Sequence, residues 1–171
     1  METAFLLLGG NIGDREKVIR KAISQIEKTV GTIDQVSSFY ETEPWGMLDA
    51  ENFLNIALKI TTKLTEIELL HALLKIEEQS GRKRNKNSIE YESRPIDIDI
   101  IFYGSAVIQT TQLTIPHPKL HERRFVLVPL CEIAPDFIHP VLDKPIFTLL
   151  NECQDQLKTE VLKPYTILKY L

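Results

Sequence analysis

Between Pro95 and Tyr103 the chain reads Ile-Asp-Ile-Asp-Ile-Ile-Phe, an alternation of apolar and acidic residues that an extended strand sorts onto two faces. Ile96, Ile98 and Ile100 then point one way, and Asp97 and Asp99 the other. A sheet built around such a strand has an apolar face that must be covered, and helices are the usual cover.

The segments upstream supply both. Residues 3–8 form a short apolar run closed by Gly9-Gly10-Asn11, which reads as a buried strand entering a loop. Asp14 caps a helix whose Val18, Ile19, Ala22, Ile23 and Ile26 share one face, with Gly31 as its stop. Residues 33–43 predict a strand ended by Pro44, and residues 52–61 a second. Thr65 caps a helix over 66–80, apolar at Ile67, Leu70, Leu73, Leu74 and Ile76 and ended by Gly81. With the strand at 96–103 the order is β-α-β-β-α-β, the split βαβ or ferredoxin-like arrangement. The expected fold is therefore α+β, with a mainly antiparallel sheet, helices on one face and a C-terminal extension. Residues 119–132 suggest short helical turns. Beyond Ala134 the prolines at 135, 140, 145 and 164 cut the chain into short pieces. A chain of 171 residues suits one domain, with a core over about 3–140 and a tail, 143–171, that the pattern leaves unassigned.

Composition excludes several classes. Lys and Arg number 20 against 24 Asp and Glu, which argues against a generally cationic coat for nucleic acid or membranes. Cys131 and Cys153 stand far apart without a CxxC pair, so neither a disulfide scaffold nor a cysteine zinc site is expected. The early apolar run is short and preceded by Glu2, unlike a signal peptide, and no run is long enough to cross a bilayer. The expectation is a cytoplasmic protein and a monomer.

Asp97 and Asp99 admit two readings. Side chains two apart on a strand repel unless a cation or proton intervenes, and hard carboxylate oxygens suit Mg²⁺; a solvated acidic face is the alternative. Arg82, Lys83, Arg84, Lys86 and Arg94 set five positive charges against Glu90 and Glu92 just before this strand. Beside a carboxylate-bound cation they suit a polyphosphate; alone, such a run is a solvated loop. Glu77 falls on the apolar stripe of its helix, where a carboxylate needs a partner unless it reaches water at the edge. Phe53 and Asn55 share a strand face and fit a planar ligand, as does Phe125 after Arg123-Arg124, although a phenylalanine taken singly is far more often a core residue. His117, between two prolines, is placed to donate to phosphate or to serve its loop.

In these residues the chain resembles the 6-hydroxymethyl-7,8-dihydropterin pyrophosphokinases. The resemblance runs from Phe5 to about Pro140, through Gly9 and Asn11, SSFYETEPWG at 37–46 and FLN at 53–55. It continues in GRKR at 81–84, RPIDIDIIFYG at 94–104 and PHPKLHERRFVLVPL at 116–130. It implies one pyrophosphokinase domain that moves pyrophosphate from ATP to the pterin alcohol in folate biosynthesis. By the same resemblance Asp97 and Asp99 hold two Mg²⁺ ions, and Arg82 and Arg94 close over the phosphates. Glu77, Arg84, His117 and Arg123 lie at the ATP. Thr42, Pro44, Trp45, Phe53, Asn55 and Phe125 form the pterin pocket. The partners implied are these two small molecules, with no nucleic acid and no membrane. The segment Glu90-Tyr91-Glu92-Ser93 departs from the family's basic, glycine-containing pattern, and two glutamates there oppose a polyphosphate. Two rivals remain: a homologue that binds but has lost catalysis, and an RNA-binding ferredoxin-like module.

Overall fold

The computed structural model describes residues 1–46, 50–82 and 93–165. The N-terminal apolar run becomes β1 (Glu2–Gly10), buried without interruption from Ala4 to Gly10. An unbroken buried run means that both faces of the strand are covered. α1 (Arg15–Thr29) follows, with the Asp14 carboxylate accepting the Lys17 N–H at 3.1 Å as its N-cap. β2 (Gly31–Val36) and β3 (Phe39–Thr42) divide the strand expected at 33–43. The break is chemical: Ser37 exchanges backbone and side-chain hydrogen bonds with Ala57 on the neighbouring strand. β4 (Phe53–Thr62) leads to α2 (Glu66–Gln79), whose start is a capping box between Thr65 and Glu68. β5 (Asp97–Tyr103) completes the β-α-β-β-α-β order.

The main sheet runs β5-β1-β4-β3, with β2 beside β3 along the same edge of β4, and every pair is antiparallel. α1 and α2 cover one face, packing Ile19, Ile23, Ile26, Leu69, Leu73 and Ile76 against alternate residues of the strands. Ile96, Ile98 and Ile100 lie in this core, as the alternation predicts.

The helical turns expected over 119–132 are a short turn at Leu120–Glu122 and a ten-residue helix, and the tail adds a further helix and a strand that its sequence did not disclose. α3 (Arg124–Ile133) and α4 (Ile146–Glu152) cover the opposite face, burying Val126, Leu127, Leu130, Ile146 and Leu149 against Phe5, Leu7 and Phe102. Helices therefore flank the sheet on both sides. A short hairpin, β6 (Ile108–Gln109) and β7 (Thr114–Ile115), precedes α3, and β8 (Thr159–Lys163) pairs with β3 as the sheet's last strand. No described helix is long and apolar enough to cross a membrane. Both cysteines are free thiols.

Gly81 ends α2 with φ +93°, the left-handed turn expected of it. Gly31 serves differently. It opens β2, where a Cβ would meet the Thr61 carbonyl oxygen at 2.3 Å, so close strand approach selects the glycine.

Candidate active site

The sheet face beneath α3 and α4 is apolar at Phe5, Leu7 and Ala57 and turns polar towards one end. There Gly9 stands in register between Asp97 on β5 and Asn55 on β4. Directly opposed residues in antiparallel strands share a face, so Asp97, Gly9 and Asn55 form one row. A Cβ on Gly9 would lie 2.2 Å from Asn55 Oδ1. The missing side chain leaves the hollow, and a cavity of about 250 Å³ opens above it.

One wall is charged. Asp97 and Asp99 both line the cavity, as their shared face requires. Asp97 is gripped by two guanidinium groups, Arg82 on Oδ1 and Arg94 on Oδ2 at 3.2 Å. Arg82 also donates to Glu77 Oε1 at 2.7 Å, and the same oxygen accepts the Ile98 N–H at 2.7 Å. Glu77 is only 1% exposed, so the water-reaching alternative fails: it is a buried carboxylate satisfied by an arginine and the backbone of β5. It sits behind the strand, while Asp97 and Asp99 face the cavity. Burial, and then the neighbouring charge of Asp97, push the Asp99 carboxyl up to about 7. Arg94 Nε is buried with no hydrogen-bond acceptor among the described residues. His117 also lines this side, its pKa held down to about 4 by burial first and then by Arg123. Its Nδ1 accepts the Lys119 N–H at 3.4 Å, which leaves the proton of the neutral ring on Nε2.

The other wall is aromatic. Phe53 and Phe125 both line the cavity, with Asn55 between sheet and opening. Asn55, buried at 3% exposure, donates to Thr42 Oγ1 at 2.7 Å, which orients its amide. The Trp45 ring lies against the Arg123 guanidinium at 4.6 Å and the Lys119 ammonium at 5.5 Å. Arg123 is also 5.7 Å from the Phe125 ring, and Arg94 is 5.9 Å from Phe53. The two arginines thus border both walls.

The cavity brings together Thr42, Trp45, Phe53, Asn55 and Phe125 with Arg94, Asp97, Asp99, His117 and Arg123. Pro44 lies between two lining residues without lining it, and Arg82 reaches the site through Asp97. Arg84, like Lys83, Lys86 and the departure at Glu90-Tyr91-Glu92, lies outside the described residues. Leu7, Gly9 and Glu43 line the cavity without having been assigned roles. The register could have found Leu7 and Gly9, which oppose Asp99 and Asp97. Nothing local marked Glu43.

Fold and cavity define the class first: a ferredoxin-like α+β protein whose sheet ends in a two-walled pocket, carboxylates and arginines facing an aromatic and amide wall. The model of the 7,8-dihydro-6-hydroxymethylpterin-pyrophosphokinase (HPPK) family matches residues 5–135. The chain belongs to this family. The 2-amino-4-hydroxy-6-hydroxymethyldihydropteridine pyrophosphokinase of Aquifex aeolicus is 43% identical over 146 residues, covering 85% of this chain and 89% of that protein. The protein of the same name from Bacillus subtilis is 43% identical over 132 residues, 77% of each chain. Among solved structures, wild-type Plasmodium falciparum HPPK-DHPS with pteroate superposes with a TM-score of 0.74 at 17% identity, over 88% of this chain. The present chain spans 44% of that longer one, and the likeness there is one of fold.

Proposed function

We propose that the chain transfers a pyrophosphoryl group from ATP to 6-hydroxymethyl-7,8-dihydropterin, giving AMP and the pterin diphosphate in folate biosynthesis. The observation that carries this reading is the single cavity in which Phe53, Asn55 and Phe125 face Asp97, Asp99, His117 and Arg123. Residues far apart in sequence meet there in two chemically distinct sets, one suited to a planar heteroaromatic and one to a polyphosphate. With both sheet faces covered by helices, the described residues present no open sheet face for RNA, so the RNA-binding reading loses its surface.

In the reaction the pterin hydroxymethyl oxygen bonds to the β-phosphorus, the bond from that phosphorus to the α-bridging oxygen breaks, and AMP departs. The hydroxyl proton passes to solvent. Phe53 and Phe125 hold the ring between them while Asn55, fixed by Thr42, meets its polar edge. Backbone groups near Pro44 and Trp45 complete that pocket. Arg82 and Arg94 exchange Asp97 for phosphate oxygens, the orphaned Arg94 Nε gaining an acceptor. Arg84 and Arg123 add charge, Glu77 orients Arg82, and neutral His117 donates from Nε2. Within this proposal both carboxylates would serve the metal ions and His117 stays neutral, so positioning and charge neutralisation supply the acceleration.

Two Mg²⁺ ions belong to this proposal, held by Asp97 and Asp99. The donor set fits: two hard carboxylates share one cavity wall, and burial first, then the charge of Asp97, raises the Asp99 carboxyl, a cost that a cation would relieve. Bound there, the ions would neutralise phosphate charge. The test is product analysis with ATP, Mg²⁺ and the pterin, resolving AMP from ADP. Pterin-dependent AMP that vanishes in Asp97→Ala is expected. ADP would mean attack at the γ-phosphorus, and no turnover with retained pterin binding would leave the inactive-homologue reading.

A further inference from the structure

The aromatic wall is held from outside by residues beyond position 135, where the match to the family model ends. Three contacts from residues 155–159 converge on it. Asp155 Oδ2 accepts the Arg124 N–H at 2.9 Å, while its Oδ1 accepts the Leu157 N–H at 3.0 Å. Arg124 opens α3, and the residue in the cap position, Arg123, makes no side-chain cap bond of its own. Asp155 therefore satisfies a helix-start N–H from a distant part of the chain. That N–H lies between Arg123 and Phe125, both of which line the cavity.

The second contact is reciprocal. Lys158 N–H donates to Glu43 Oε2 at 2.9 Å, and Glu43 N–H donates to the Lys158 carbonyl at 3.0 Å. Glu43 lines the cavity and begins the connection that carries Trp45. In the third, β8 sets Thr159 opposite Thr42, the acceptor for Asn55. The Trp45–Arg123 stacking then joins the two braced segments to each other.

We infer that residues 155–159 are a brace for the pterin side of the pocket, and that Asp155 is a positioning residue acting through Arg123 and Phe125. The inference rests on the pyrophosphokinase reading for its substrate, not for its geometry. The rest of α3 has independent anchors. Val126, Leu127 and Leu130 are buried in the second core, and Glu132 near its other end accepts from Ser38 and Tyr40. Loss of Asp155 should loosen the first turn and spare the fold.

The test compares the full chain with Asp155→Ala and Asp155→Asn. In steady state at saturating ATP and Mg²⁺, Asp155→Ala should raise the KM for the dihydropterin about tenfold, the scale of one lost N-cap bond, with kcat within about threefold. Asp155→Asn keeps an acceptor oxygen and should restore KM to within about twofold of the parent. Trp45 is the only tryptophan, so its emission reports the Arg123 contact without turnover. The emission should shift in Asp155→Ala and return in Asp155→Asn. A folded Asp155→Ala variant with parental KM and parental emission overturns the brace, as does failure of asparagine to restore either. If the parent makes no pterin-dependent AMP yet the emission shift and its rescue occur, the brace stands and the substrate assignment falls.

Discussion

Replacing Gly9 by alanine tests the row on which the pocket is built. The new Cβ would stand 2.2 Å from Asn55 Oδ1, where ordinary contact begins at 3.4 Å. Something must therefore move by more than an ångström. β1 is paired on both sides and buried, so the backbone is the stiffer partner and the Asn55 amide yields. Rotation of that amide breaks its 2.7 Å bond to Thr42 and leaves buried polar groups unmatched. Such a loss costs about 1–3 kcal/mol, equivalent to roughly 5-fold to 150-fold in an equilibrium constant. Expressed at the pocket, it should raise the KM for the dihydropterin by that factor and leave the KM for ATP within about twofold. Two-substrate steady-state kinetics, with circular dichroism to confirm folding, reads both numbers. The Gly9→Ala/Asn55→Ala double variant adds a check, because the clashing atom is gone: the two effects should fall short of additivity. A folded Gly9→Ala protein with parental pterin KM would refute the argument, as would strict additivity.

Other expectations follow from single contacts. His117 is held neutral in the fold, with a pKa of about 4 against about 6.5 when unfolded. Between those values the unfolded chain binds more protons, so His117's contribution is fully present above pH 6.5 and is lost as pH falls towards 4. Asp99, raised to about 7, contributes with the opposite sign over the same range, so the test is a difference. The stability of the parent relative to His117→Gln in urea should fall by up to about 2 kcal/mol from pH 7 to pH 5; a constant difference between the two proteins would disprove the assignment. Arg82→Ala strips a partner from buried Glu77 and should cost about 1–3 kcal/mol of stability besides slowing turnover, measured by denaturant titration and rate assays. Thr65→Ala removes the capping box at the start of α2, remote from the cavity. It should lower stability by about 1 kcal/mol and the melting midpoint by about 2–4 °C, with kinetics unchanged.

The alternation at 96–101 placed Asp97 and Asp99 on one face correctly because period-two side-chain geometry is local. Asp14 and Thr65 were legible as caps for the same reason: each bonds a backbone N–H three residues on. Phe53 and Asn55 share the cavity as their spacing requires, yet their pairing with Phe125 and Arg123 came from motif resemblance, since no local rule links them across some 70 positions of chain. Glu77 was recognised as anomalous on its stripe, but whether it reached water or a partner depended on where Arg82 and the Ile98 N–H would stand.

What the sequence determined by itself was the βαββαβ order, the caps, the strand faces at 53–55 and 96–100 and the presence of an acidic pair beside arginines. These depend on periodicity and on bonds within a few residues. Tertiary structure alone decided that Gly9 separates Asp97 from Asn55, that Trp45 stacks on Arg123, and that a tail cut up by prolines joins α3 over the second sheet face and reaches Arg124 and Glu43. Register, burial and long-range hydrogen bonds arise only when segments distant in the chain compete for the same surface, and no local pattern carries the outcome of that competition.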